Sequence, residues 1–418
     1  MVVGLLGNKS PDSNRFTLVT PKPENGVRLQ ATLGNQNPTG LPVGAVSGVG
    51  NMGSKYASLI QNGQIPGFEL AAVTRVRDPY RKLISAEVPV YESADALFDA
   101  LERGDLSLDA VVIATPHYSH EEIAVRAFRN GLHVLSDKPS GVYSRQARLM
   151  EEAADAAGTT FGMVFNQRTL PVYQLLREIV TSGRYGGLKR VNWIVTDWYR
   201  PNKYYSTSSW HATWAKDGGG VLLNQCPHNL DLLQWICGMP ARVQGFCIEG
   251  HFHDIEVEDD VTMYMEWENG ATGTFISCTG EAPGVNRLEI SLDEALLVCE
   301  NGKLRIGELS EELGMKEAEY RRTSTDYFRK INGIWSETVP EQEEDPYGEV
   351  LRAFANECLG RGQSVADGRE GRKSLLISNA AYLSSWEHRM VEIPEIGSEA
   401  ERVFEEEYEN RLRRKMGK

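Results

Sequence analysis

Short apolar runs alternate with amphipathic stretches from about residue 42 to residue 165. The runs are rich in Val, Ile, Leu or Phe and read "PVGAVS", "FELAAVT", "AVVIAT", "LHVLSD" and "TTFGMVF". Between them lie "ADALFDALERG", "SHEEIAVRAFRNG" and "SRQARLMEEAADAAG", each ending at a glycine. Continuous apolar strands that alternate with helices are typical of a parallel sheet covered on both faces. The pattern predicts a doubly wound α/β domain.

The rhythm changes after residue 165, where longer segments alternate in period two or carry β-forming residues. They read "KRVNWIVTDWY", "DDVTMYMEW", "ATGTFISCTG", "RLEISL" and "ALLVCE". This pattern predicts an α+β region with a mostly antiparallel sheet. The predicted division is an N-terminal extension or arm (1–40), a nucleotide-binding domain (41–165), a substrate and oligomerisation domain (166–397) and a charged C-terminal surface helix (398–418).

Composition narrows the classes of partner. The 418 residues carry 58 acidic against 44 basic side chains, a net charge of −14, which argues against nucleic acid and anionic membranes as partners. No apolar run approaches the ~18–20 residues of a membrane span, and the first residues lack a basic leader. Six cysteines without a CxxC pair read as reduced packing residues. We therefore expect a cytoplasmic protein without a metal site.

A glycine-rich turn follows the first predicted strand: Gly48-Val49-Gly50-Asn51-Met52-Gly53. This GxGxxG opens a helix in a βαβ unit, the context in which such a turn holds a dinucleotide pyrophosphate against backbone N–H groups. The alternative is a glycine-rich turn without a ligand. The turn predicts a nicotinamide dinucleotide cofactor.

The end of the second strand bears on which cofactor that is. Binders of an unphosphorylated ribose usually carry Asp or Glu there, whereas this chain has Thr74 and Arg75. An arginine can fork onto a 2′-phosphate, so the sequence leans toward NADP within NAD(P). In the alternative, Arg75 stacks on adenine or faces solvent and Asp78 takes the acidic role.

Four ordered motifs carry a resemblance to a known family. They are "ATPHYSHEE" (114–122), "GLHVLSDKPSG" (131–141), "FNQR" (165–168) and "GGGVLLNQCPHNLD" (218–231). Over residues 42–395 the chain resembles the glucose–fructose oxidoreductase / inositol dehydrogenase (Gfo/Idh/MocA) family. The resemblance implies a Rossmann domain, a second domain whose large open sheet mediates homodimers or homotetramers, and hydride transfer between NAD(P) and a carbinol of a sugar, inositol or polyol.

The family's Glu-Lys-Pro motif falls on Asp137-Lys138-Pro139. The resemblance implies that Lys138 touches both the nicotinamide ribose and the reacting hydroxyl. An ammonium near an alcohol also helps it lose its proton. The alternative is a surface lysine at a strand end.

The family's Asp-x-x-x-His motif falls on Asn224 and His228. Spacing of four predicts both side chains on one face at a helix start, which Pro227 also favours. His228 becomes the candidate acid/base, and Asn224 can orient the imidazole without stabilising its charge. The imidazole should then hold its proton less tightly than in the family.

Further candidates come from the same resemblance and from an aromatic segment (196–214). The additional cofactor-binding candidates are Thr115, Pro116, His117, His120, Asn166, Trp210 and His211. The additional substrate-binding candidates are Arg168, Tyr199, Tyr205 and Tyr347. Aromatic rings suit the apolar face of a sugar, although the segment could equally be core or subunit interface.

Three functions follow as hypotheses. The first is an NAD(P)-dependent sugar or polyol dehydrogenase or reductase. The second is a redox-neutral glycoside-processing enzyme that oxidises a ring carbon transiently, eliminates and reduces it again. The third is a cofactor-binding sensor without turnover, which would need neither Lys138 nor His228.

Overall fold

A computed structural model describes residues 42–206, 212–341 and 345–417. Strands β1–β6 are Val43–Ser47, Glu69–Thr74, Val90–Tyr91, Ala110–Ile113, His133–Ser136 and Phe161–Met163. Helices α1–α5 between them are Asn51–Gln61, Asp78–Arg81, Ala94–Glu102, Ser119–Arg129 and Ser144–Ala157. The predicted N-terminal arm lies outside the described residues, and the predicted domain boundaries stay predictions.

These strands form one parallel sheet in the order β3-β2-β1-β4-β5-β6. Every residue of β4 is buried, as its apolar sequence predicts for a strand covered on both faces. The strand order reverses between β1 and β4, and such a reversal opens a crevice at the carboxyl ends of the strands. The predicted doubly wound fold is confirmed.

The rest of the described chain builds the second region. Its strands β7–β15 are Leu188–Val195, Arg242–Glu249, Glu258–Glu266, Thr272–Cys278, Asn286–Leu292, Ala295–Glu300, Lys303–Glu308, Ile334–Thr338 and Val391–Glu392. Its helices α6–α14 are Pro171–Thr181, Asn202–Ser206, Val221–Asn224, Pro227–Cys237, Leu309–Leu313, Glu317–Thr323, Pro346–Cys358, Gly371–Glu387 and Glu399–Lys415. Two 3-10 helices, at Asn166–Thr169 and Gly368–Glu370, complete it.

The strands of this region form one sheet in the order β14-β13-β12-β11-β7-β10-β9-β8-β15. Among the described strand pairs of this sheet, β7–β10 is parallel and the others are antiparallel, so the predicted mostly antiparallel sheet is confirmed. Alternate residues of β10 are buried, which gives the sheet one covered face. Its other face exposes Phe246 and Ile248. Oligomerisation through that face stays a prediction.

Helix α14, predicted as a charged surface helix, has one buried face. Its acidic residues Glu401, Glu405 and Glu409 are buried, as are Phe404 and Tyr408. The carboxylates are buried because arginines of α5 and α13 meet them; these are Arg145, Arg148 and Arg372. Charge along the sequence gave no sign of these partners. Among the described residues, no helix combines the length and apolarity needed to cross a membrane.

Candidate active site

The glycine turn between β1 and α1 has the shape that close approach of a ligand requires. Gly48 has a φ of 90°, and a methyl group on Gly53 would lie 2.1 Å from the Gly48 carbonyl oxygen. On Gly50, by contrast, a methyl group would meet nothing nearer than 3.8 Å. Helix α1 has no side-chain cap and no acidic residue in its first turn. Its N–H groups therefore fit a bound pyrophosphate.

Thr74 and Arg75 follow at the end of β2. The Thr74 hydroxyl accepts a hydrogen bond from the Gly48 N–H at 3.2 Å, so it shapes the glycine turn. Arg75 is exposed, has a φ of 49° and lines a cavity of about 130 Å³ together with Ser93 and Thr115. This cavity lies beside the turn, where the adenosine end of a dinucleotide would be expected.

The motif after β4 braces the site. His120 is buried, and its ring nitrogens lie 2.7 Å from the Thr115 carbonyl oxygen and 2.8 Å from that of Pro139. His117 is also buried, and its Nδ1 lies 2.8 Å from the Asp217 carbonyl oxygen. Burial lowers the pKa of His117 to about 4. These histidines connect the end of β4 to the loops that contain Pro139 and Asp217. The Pro116 carbonyl accepts a hydrogen bond from the Ser119 hydroxyl.

Lys138 lies at the carboxyl end of β5, as predicted. Its Nζ donates to the backbone carbonyl of Asn224 at 2.7 Å, and burial lowers its pKa. The buried Asp137 accepts from the Lys138 N–H at 2.8 Å and from the Tyr56 hydroxyl at 2.9 Å. Burial raises the pKa of Asp137. The shorter acid is thus held by two donors and in turn fixes the backbone of the lysine.

His228 lies in the first turn of α9 and is 8% exposed. Burial first, and the charge of Lys138 second, lower the pKa of its imidazole to about 3. Its Nδ1 is buried without a hydrogen-bond partner among the described residues, and its ring meets Phe165 edge-on. A neutral imidazole with an unpartnered nitrogen is suited to bind or deprotonate a hydroxyl.

The expectation that Asn224 and His228 share one helix is wrong. Asn224 ends the short helix α8, and α9 begins at Pro227. Proline has no N–H to continue the hydrogen bonds of α8, so the helix restarts. Asn224 contacts Lys138 through its carbonyl and bonds the Tyr204 side chain through its own side chain. The imidazole Nδ1 therefore gains no orienting contact from it.

A buried carboxylate fixes α8. Glu258 accepts hydrogen bonds from the backbone N–H groups of Gly220 and Leu222 at 2.8 and 2.9 Å, and from the Tyr382 hydroxyl at 2.7 Å. Burial raises its pKa to about 7. The three glycines before α8 permit this packing, since a methyl group on Gly220 would lie 1.8 Å from the Glu258 carbonyl oxygen.

Arg168 and Asn166 have different surroundings. Arg168 is 4% exposed, and its Nε lies 2.7 Å from Asp231 while its Nη2 lies 3.1 Å from Glu370. That ion-pair network anchors α9 one turn beyond His228, and the predicted substrate contact of Arg168 stays a prediction. Asn166 is buried, and its Oδ1 has no partner among the described residues, which fits a ligand amide.

The predicted aromatic candidates separate. Tyr347 lies against Tyr56, with ring centroids 6.1 Å apart, on the Asp137 side of the site. The Tyr205 hydroxyl is 2.8 Å from the Thr279 hydroxyl, so it pairs with the second sheet, and Tyr199 is 51% exposed. Trp210 and His211 lie outside the described residues.

Two further residues of the same segment lie at the site: Tyr204, one of its aromatic residues, and Arg200, which was missed from the sequence alone. Tyr204 bonds the Asn224 side chain and accepts from Gln225 Nε2 at 3.3 Å. The Arg200 guanidinium lies 5.2 Å from the centre of the Tyr204 ring. A lone arginine among aromatics was the available signal. In the described part of the chain, no group of three or more His, Cys, Asp or Glu side chains could hold a metal ion.

Comparison with protein families supports both regions of the chain. Residues 44–165 match the model described as the oxidoreductase family with an NAD-binding Rossmann fold. Residues 173–298 match the GFO/IDH/MocA C-terminal domain. The first match covers the parallel sheet with its glycine turn, and the second covers the region that carries His228.

Individual relatives share about a quarter of their residues with this chain. The 1,5-anhydro-D-fructose reductase of Ensifer adhaerens is 24% identical over 65% of this chain and 76% of its own. The levoglucosan dehydrogenase of Pseudarthrobacter phenanthrenivorans is 25% identical over 70% and 82%. The Bordetella pertussis WlbA dehydrogenase, solved with NADH and UDP-GlcNAcA, superposes with a TM-score of 0.68 at 24% identity, covering 85% of this chain and 99% of its own.

Proposed function

Since the chain belongs to the GFO/IDH/MocA oxidoreductase family, we propose that it is an NAD(P)-dependent dehydrogenase or reductase of a sugar, inositol or related polyol. The relatives are named as sugar dehydrogenases and reductases, which supports a carbohydrate substrate. Those names support neither the glycoside-processing enzyme nor the sensor.

One observation carries this proposal: a half-buried lysine and a neutral buried histidine lie together at the crevice that begins with the glycine turn. Lys138 would hold the reacting hydroxyl by its ammonium and stabilise the oxygen as its proton leaves. The unpartnered His228 Nδ1 would accept that proton. When bound, the nicotinamide supplies the hydride acceptor or donor.

The low pKa of His228 means that its imidazole is neutral at pH 7, with one ring nitrogen free to accept a hydrogen bond from the reacting hydroxyl. For the cofactor we propose NADP over NAD, because the exposed Arg75 forms no ion pair in the described ranges and a 2′-phosphate would provide one.

The test is reduction of NADP⁺ or NAD⁺ by a panel of inositols and free sugars, followed by absorbance. We expect Lys138→Met and His228→Gln each to lower kcat by roughly 10²–10⁴-fold, since general acid–base groups contribute on that scale. Cofactor affinity should change little in His228→Gln. The control is Lys303→Met, because the Lys303 side chain lies exposed on β13. Wild-type turnover in Lys138→Met would remove the lysine from the mechanism.

A further inference from the structure

Arg200 is fixed in the loop between β7 and α7 by its own backbone. Its N–H donates to the Thr279 carbonyl at 2.9 Å. Its carbonyl oxygen lies 2.8 Å from Nε2 of the buried His253, whose Nδ1 is 2.7 Å from Asp259. Both backbone groups of the arginine are thus held by loops at the ends of second-sheet strands. Ligand binding to the arginine would therefore cost less conformational entropy in ordering this backbone.

The side chain of Arg200 reaches the candidate active site. Its guanidinium lies over the rings of Tyr204 and Trp198, at 5.2 and 5.6 Å from their centres. Tyr204 bonds the Asn224 side chain, and the Asn224 carbonyl holds Lys138 Nζ at 2.7 Å. The charge of Arg200 also contributes to lowering the pKa of Lys138. The two cations are therefore linked through Tyr204 and Asn224, and their charges interact.

Arg200 differs from the three buried arginines, and in having no ion pair among the described residues it is like the half-buried Arg177. Arg148, Arg168 and Arg372 each have a carboxylate within 3.3 Å. Within the part of the chain that the structure describes, Arg200 has no carboxylate at ion-pair distance. Its Nη1 donates to the carbonyls of Trp198 and Tyr199, its side chain also bonds that of Tyr204, and its charge partly offsets the burial that raises the pKa of Asp197. A half-buried guanidinium held beside a reacting site without a counter-ion is matched to an anion that arrives with the ligand.

We propose that Arg200 binds an anionic group of the substrate, a carboxylate or a phosphate, and that the substrate is therefore an acidic sugar or polyol derivative. This inference rests on the proposed function, because it names the substrate class of that same site. A net charge of −14 would repel such a substrate, so two cations in the cleft would be needed to concentrate it locally. Arg200 would set specificity, and Lys138 would meet the reacting hydroxyl.

The experiment compares kcat/KM of the full-length protein for D-glucose, D-glucuronate and D-glucose 6-phosphate with its preferred cofactor. We expect an acidic compound to be favoured, and which one is favoured distinguishes carboxylate from phosphate. Arg200→Gln should lower kcat/KM for that compound roughly ten- to hundredfold, because one charge-assisted hydrogen bond is lost. The kcat/KM for glucose should change less than about threefold. Arg200→Lys should fall between, and the exposed Arg103→Gln should match wild type.

Calorimetric titration of the cofactor-loaded protein with the same three compounds separates this inference from the proposed function. Anion binding that Arg200→Gln removes, without turnover of any compound, would keep Arg200 as an anion site and refute the oxidoreductase proposal for these substrates. Equal loss for glucose and the acidic compounds, or a wild-type preference for glucose, would overturn the inference while leaving the oxidoreductase intact. Arg200→Lys decides the matter if Arg200→Gln fails to fold.

Discussion

Two glycine-rich segments each lead into a helix, and they do opposite things. At Gly50, before α1, an added methyl group would have open space, and the helix start has no side-chain cap. At Gly220, before α8, the methyl group would collide with the Glu258 backbone, and the helix start is occupied by the Glu258 carboxylate. The first segment leaves its donors for a ligand, and the second uses them to hold the catalytic candidates.

The difference teaches that a glycine run does not by itself indicate a phosphate site. Both runs permit close approach, but in one case the approaching group would be the cofactor and in the other it is protein. Substitutions in the first segment should therefore affect binding, and those in the second should affect folding and the protonation of groups it buries.

The largest effect is expected for Gly220→Ala. The 1.8 Å clash with a backbone oxygen cannot be relieved by a rotamer, so we expect a loss of about 3 kcal/mol or more in the free energy of unfolding. The free energy of unfolding of Gly50→Ala should stay within about 0.5 kcal/mol of wild type. Its cofactor binding should weaken about tenfold or more, because the methyl group would occupy the position of the pyrophosphate. Urea unfolding and fluorescence titration with NAD(P)H measure the two effects. A comparable loss in the free energy of unfolding in both variants would contradict the difference between the two glycine segments.

His228, which follows the second segment, should show the next effect. Its folded pKa of about 3 lies below the ordinary value of 6.5, so the neutral form stabilises the fold fully above pH 6.5. That contribution is lost as the pH falls toward 3, because the unfolded chain then binds one more proton. The free-energy difference between wild type and His228→Gln should fall by about 1.4 kcal/mol per pH unit between pH 6 and 4.

Urea unfolding of both proteins without cofactor at several pH values measures that slope. The other titrating groups, among them the buried Glu258 and His117, are shared and largely cancel in the difference. Parallel stability curves would mean that His228 is solvated, and the contrast between a buried second segment and an open first one would weaken.

The sequence predicted those parts of the site whose contacts are local along the chain, and it missed those that depend on distant residues. The glycine turn is local, so its spacing and flanking strand were sufficient to find it. Pro227 marked the start of α9, but the break after Asn224 was missed because the spacing of four was applied across the proline. Arg168 is paired with residues 63 and 202 positions away, which no local pattern reveals.

The same limit explains Arg200. Its position depends on Thr279 and His253, which lie in loops next to strands of the second sheet, so the sequence showed only an arginine in an aromatic segment. The acidic face of α14 resembled a solvated surface for the converse reason, since its arginine partners lie on α5 and α13. Side-chain type is visible in a sequence, whereas the counter-ion that decides burial is a tertiary contact.

The smallest effect is expected at Arg75, beside the first segment. The side chain is exposed and at the rim of the cavity, so its removal should leave folding unchanged. Arg75→Ser should raise the Kd for NADP⁺ about tenfold, the value of one charge-assisted contact to a phosphate, and change that for NAD⁺ less than about threefold. Arg81→Ser, in the neighbouring α2, is the matched control. An equal change for both cofactors would mean that Arg75 contacts the adenine or the shared pyrophosphate and would remove the reason to favour NADP.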